Sequence, residues 1–141
     1  MAEHELPNVG DLIKKHLALH KAMARNPRYP LDAYVFVCEA VDYTCDKLGG
    51  KRDVTGRELL DGLCDLAVER FAFLAPTVLK RWNITATDDV GEIVFTLVGV
   101  GLLGKSPRDT KADFHQVFDL EEELATRHTF ETNLEETPGE D

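Results

Sequence analysis

Eight consecutive residues of this chain have the letters of a phosphate-binding loop. Gly99-Val100-Gly101-Leu102-Leu103-Gly104-Lys105-Ser106 fits GxxxxGK[ST] and also contains GxGxxG. In such a loop, glycines let backbone N–H groups approach phosphate, the lysine reaches the outer phosphates and the hydroxyl binds magnesium. That chemistry needs a buried strand before the loop and a helix starting at Gly104-Lys105-Ser106. Pro107 follows at once, and no later apolar strand ends in an acid that could hold magnesium. Upstream, Thr87-Asp88-Asp89 reads as a helix cap, and Val90, Ile93, Val94, Leu97 and Val98 recur at helical spacing. A nucleotide-handling enzyme is therefore the alternative reading, not the first.

Other chemistry-bearing residues are sparser. His16 and His20 stand four apart, a spacing that can hold a metal on a helix. No other histidine has motif spacing, so they read as surface histidines. Asp88-Asp89 and Glu121 to Glu123 are adjacent carboxylates, explained by helix capping and a solvated helix end. Cys38, Cys45 and Cys64 form no CxxC pair. On one helix, Cys38 and Cys45 would lie roughly 10 Å apart, too far to bridge. Three unpaired thiols fit a reducing cytoplasm. No GxSxG occurs. No catalytic residue, cofactor or metal is assigned.

The elements that would position these residues are mostly helices. An amphipathic helix is expected over 9–24, ending before Asn26-Pro27, with Pro27 and Pro30 bracketing a turn around Tyr29. Leu31 to Leu48 carries a broad apolar face and is stopped by Gly49-Gly50. Thr55-Gly56-Arg57-Glu58 is a capping box opening a helix over 56–72. Pro76 suits the first turn of a short helix, and Thr87-Asp88-Asp89 opens another that Gly99 and Gly101 end. Gly104 to Thr110 is turn chemistry between two short apolar runs. It reads as a β-hairpin, or else as a loop and terminal helix.

Length, charge and hydropathy bound the class. The 141 residues are 43% hydrophobic, enough for one domain with a core. The net charge of −10 is unevenly spread. Residues 119–141 hold nine acids and one base, leaving 17 acids and 15 bases for the rest. The N-terminal MAEHELPNVG has no signal-peptide core, and no apolar run is long enough to span a membrane.

The basic residues are placed otherwise. Lys14, Lys15, Lys21, Arg25 and Arg28 follow one another with no acid among them. They read as a solvated face or as a docking strip for an acidic surface, including the chain's own tail. Lys80-Arg81-Trp82 is a second basic cluster, here with an aromatic. These eight residues are the candidate partner-binding set. A nucleic-acid partner is disfavoured, because the would-be recognition helix Asp88–Val98 carries three acids and no base.

Four phrases resemble a small family of uncharacterised bacterial proteins largely restricted to planctomycetes and verrucomicrobia. They are Arg28-Tyr29-Pro30-Leu31-Asp32-Ala33-Tyr34 with Phe36-Val37, Val54-Thr55-Gly56-Arg57-Glu58-Leu59-Leu60, Asp89-Val90-Gly91-Glu92-Ile93-Val94-Phe95, and Asp113-Phe114 with Val117-Phe118-Asp119. The resemblance covers about residues 11–124. It implies no activity and no catalytic residue. It also implies that the phosphate-loop letters are accidental here, since relatives do not keep them.

The expectation is a mainly α, compact multi-helix domain of about five helices over 1–125. It carries a small C-terminal β-hairpin, is loosely winged-helix-like, and ends in a disordered acidic tail over 126–141. The expected function is a non-catalytic cytoplasmic adaptor that binds a protein, without nucleic acid, membrane or cofactor.

Overall fold

The computed structural model describes residues 8–50, 53–104 and 111–135, the last six of these by backbone alone. Helix α1 spans Val9–Arg25, α2 Leu31–Lys47, α3 Gly56–Phe71, α4 Ala75–Arg81, α5 Thr87–Gly99 and α6 Leu120–Glu135. Short 3-10 turns at Ala72–Leu74 and Lys111–Phe114 complete the regular structure. No strand occurs among the described residues, so the expected hairpin and wing are not seen there. The run 102–120 instead passes through the 3-10 turn Lys111–Phe114 into α6, and residues 105–110 lie outside the described set.

Local signals start the helices. The Asn8 side chain accepts from the Asp11 amide and caps α1. At α3, Thr55 Oγ1 accepts from the Glu58 amide at 3.1 Å, and Glu58 Oε1 accepts from the Thr55 amide at 3.0 Å. This is the capping box read from the sequence. Pro76 occupies the first turn of α4, where its missing N–H costs nothing.

Packing is built on α2 against α3, the most extensive helix pair. They approach so closely at Gly62 that an added Cβ would collide with Thr44 Oγ1 and lie 3.0 Å from Thr44 Cβ. The Thr44 hydroxyl meanwhile donates back to Ala40 O. Helix α1 packs on α2 and α5, whereas α6 packs on α3 and α4. Phe114 is buried as a wedge between α3 and α5. Cβ atoms placed at Gly56 and Gly91 would meet it at 3.2 and 2.8 Å.

Two long-range polar contacts tie distant segments together. Asp89, buried at the start of α5, accepts from Tyr29 Oη at 2.5 Å, Ala86 N at 3.0 Å and Thr85 N at 2.9 Å. Thr85 Oγ1 adds a bond at 3.2 Å, and Arg28 Nη2 lies 3.4 Å away. The N-cap of α5 is thus Ala86, with Asp89 satisfying its amide. The cap expected at Thr87 is corrected, because Thr87 has sunk into the core. Its hydroxyl donates to Phe114 O and accepts from Val117 N.

The second contact is Arg127, largely enclosed by acids. It binds Asp61 and Asp65 of α3 at 2.8 Å each, and Glu123 one turn back at 3.0 Å. With Leu120 and Leu124 buried beneath, this holds α6 against α3. The helix therefore runs through Glu135, past the boundary at 126 where disorder was expected; 136–141 lie outside the described residues. Since α6 lies on α3 and α4, it does not cover the basic residues of α1.

The Asp89 knot predicts unequal losses. Tyr29→Phe removes one hydrogen bond to a charged group and should cost about 1.5–3 kcal/mol. Asp89→Asn turns an acceptor into a donor facing donors and should cost more. The double variant should be no worse than Asp89→Asn alone, by urea unfolding. Losses that simply add would contradict the shared contact.

Candidate functional site

Buried thiols and paired carboxylates are the first places to seek chemistry, and each has a structural partner or an apolar setting. Asp88 and Asp89 point apart. Asp89 is in the knot just described, while Asp88 accepts from the Gln116 amide at 2.9 Å and pairs with His115 Nδ1 at 2.6 Å. The Gln116 hydrogen bond and then His115 hold the Asp88 carboxyl below the ordinary range. That geometry separates the two carboxylates rather than converging them on one substrate.

Cys38 and Cys64 are free thiols. Cys64 is fully buried, and burial pushes its pKa from 9.0 up to about 12; Cys38 is pushed up to about 11 for the same reason. A raised pKa removes the thiolate that a nucleophile needs. His16 and His20 meet edge to face with ring centroids 4.4 Å apart. No cluster of three or more His, Cys, Asp or Glu suited to a metal exists among the described residues.

The phosphate-loop letters fall on a different structure. Residues 93–98 are helical, so the strand such a loop follows is absent. Gly99 ends α5, Gly101 takes a positive φ of 85° in the turn beyond, and Lys105 and Ser106 lie outside the described residues. A cavity of about 240 Å³ beside this turn is lined by Val41, Val54, Leu59, Val94, Phe95 and Val98 together with Cys45 and Thr55, and Asp53 is the charged residue of its wall among the described residues. The described part of the wall is mostly apolar with one acid, a setting for small apolar groups. It also explains why Val94 and Val98, expected in the core, are only half-buried.

The candidate partner-binding residues divide. Trp82 is half-buried, packed 5.4 Å from Phe36 and 5.9 Å from Phe71 between ring centroids, so most of its ring serves the core. Arg28 is engaged with Asp89 and lies over the Tyr29 ring. The Arg25 guanidinium fills the space a Gly99 side chain would take, at the negative end of α5. Lys80 lies 3.8 Å from Glu121, and Arg81 is exposed on the same short helix. Lys14, Lys15 and Lys21 remain exposed on α1. Lys14 and Lys15 also edge a cleft of about 460 Å³ shared with Asp11, Asp42 and the turn at 100–103.

The feature the charge reading missed is apolar. Every residue from Val9 to Leu17 is exposed, on all sides of the helix. Val9, Leu12, Ile13 and Leu17 show 71, 51, 54 and 56% of their surface to solvent. Core contact begins only with Leu19 and Ala22. The amphipathic helix expected over 9–24 is present, and its first half overhangs the body. Single exposed leucines are ordinary, but four on adjacent turns of one helix form a patch. A second apolar projection is Phe73, 72% exposed, after Ala72 with its positive φ of 51°.

Comparison with known proteins adds no neighbour: no family model, no curated protein and no solved structure matches this chain. Among the described residues, no helix is long and apolar enough to cross a membrane.

The thiols give a pH prediction. Above pH 9 an unfolded Cys64 ionises while the folded one stays protonated, so the unfolded state binds fewer protons and stability falls. The loss runs from pH 9 to about 12, at about 1.4 kcal/mol per pH unit. Unfolding measured from pH 9.5 to 11 should be less steep in pH for Cys64→Ala by that slope; parallel curves would contradict the burial effect.

Proposed function

We propose that this protein is a non-catalytic interaction module, an adaptor that binds another protein along the outer face of α1. The observation that carries the reading is the overhanging half of α1, with four large apolar side chains facing water. A helix half this short is marginal without tertiary contacts, and its apolar stripe joins no part of the core among the described residues. Covering it with a partner offsets the exposure and orders the helix at once. Lys14, Lys15 and Lys21 beside the stripe favour an acidic partner surface. The free thiols of Cys38 and Cys64 favour a reducing compartment, and we place the protein in the cytoplasm on that ground. The sequence phrases from Arg28 to Asp119 support a place in the small bacterial family described above.

A nucleotide-handling enzyme has less support, because α5 is helical through 93–98, where a strand would precede a phosphate loop, and the described lining of the adjoining cavity is mostly apolar. A winged-helix nucleic-acid reader has less again. Helix α5 buries Val90, Ile93 and Leu97, so it has no free face to lay in a groove.

A photo-activated benzoylphenylalanine placed at Leu12 in the source cell tests the reading. Irradiation should join the chain to a discrete protein, and Leu17→Glu should abolish the product. The same probe at Thr77, exposed on α4, should give none. No product from Leu12, or the same product from both sites, would overturn the reading.

A further inference from the structure

Resting on that reading, the exposed face of α1 specifies both the shape and the charge of what covers it. Val9, Ile13, His16 and His20 recur at intervals of four, three and four, with Leu12 and Leu17 alongside. That is the spacing of a seam that pairs with another helix. It lies away from Leu19 and Ala22, which face the core. Lys14 and Lys21 run along one edge of the seam. They are seven residues apart, hence about 10 Å along the axis. Arg25 does not extend that edge, since its guanidinium is folded onto Gly99.

Three occupants fit poorly. A second copy paired antiparallel about a twofold axis would bring this lysine edge against itself, like charge on like. An anionic bilayer would face a chain of net charge −10 and a stripe with two histidines at its centre and no aromatic anchor. The chain's own last six residues, Glu136 to Asp141, are acidic but hold no large apolar side chain to fill the seam. What remains combines an apolar seam with negative edges.

We infer that α1 docks an amphipathic helix of a partner protein, whose apolar seam is edged by carboxylates about seven residues apart to meet Lys14 and Lys21. The helix lies along α1 over its first three turns. Apolar contact supplies the adhesion, and the lysine edge selects the partner.

The full-length protein can be titrated with two labelled helical peptides of 21 residues, sharing one Leu/Ile seam and differing only in Glu or Lys edges. Fluorescence anisotropy in 50 mM salt should show the Glu-edged peptide binding at least tenfold tighter. That preference should shrink towards none at 0.5 M salt. Lys14→Glu with Lys21→Glu should reverse it, and Ile13→Asp should weaken both peptides at least tenfold. Equal binding, tighter binding of the Lys-edged peptide, or no binding of either would overturn the inference. So would capture on vesicles of 30% phosphatidylglycerol in phosphatidylcholine that Ile13→Asp abolishes, or a dimer in sedimentation that Ile13→Asp dissolves. A Leu12 cross-link to a protein with no edge preference would sink this inference and leave the docking reading standing; loss of both would sink both.

Discussion

One buried carboxylate holds the arrangement of helices in place. Asp89 accepts from Tyr29, Thr85 and Ala86 and draws Arg28 towards it. It thereby ties the turn between α1 and α2 to the start of α5, 60 residues on. A desolvated carboxylate is tolerable only with its lone pairs occupied, and here the donors converge from two separate loops. The direction in which α1 leaves the body is set at this point. Tyr34 donating to Asn26 O at 2.7 Å fixes the same turn from the other side. Tyr29 has its pKa raised, first by burial and then by its bond to Asp89, so it stays a donor.

With that end of α1 clamped, the other end is left without support. Leu19, Ala22 and the partly buried Met23 reach the core, and nothing before them does. On the far side, Arg127 clamps α6 to Asp61 and Asp65 and anchors the acidic segment away from α1. The described part of the acidic segment, through Glu135, thus lies on α3 and α4 and not on α1. The surface on which the proposed docking depends is therefore not covered by α6.

Much of the helical order was legible because it rests on local chemistry. The Thr55–Glu58 capping box, the prolines before α2 and in α4, and the glycines after α2 act within one turn, where sequence spacing is spatial spacing. The stripe Val90, Ile93 and Leu97 was read correctly as buried helix. What escaped was non-local. Nothing in the neighbourhood of Tyr29 announces Asp89, and Thr87 looked like a cap because its true partners, Phe114 and Val117, come some 30 residues later. Arg127 was visible as the sole base among acids, four residues after Glu123, but Asp61 and Asp65 were not. Of the candidate partner-binding residues, Arg25, Arg28 and Trp82 also have structural contacts that their local sequence does not announce. The amphipathic character of α1 was legible, but periodicity reports a stripe and not whether anything covers it.

Hydrogen exchange on the isolated protein tests most directly whether the first half of α1 is left uncovered. Amides 13–17 should exchange at least a hundredfold faster than amides 93–97 of α5, because their helical bonds are exposed to water and backed by no core contact. Protection at 13–17 equal to that of α5, in the protein alone, would mean that the overhang is already packed and that the docking account is wrong.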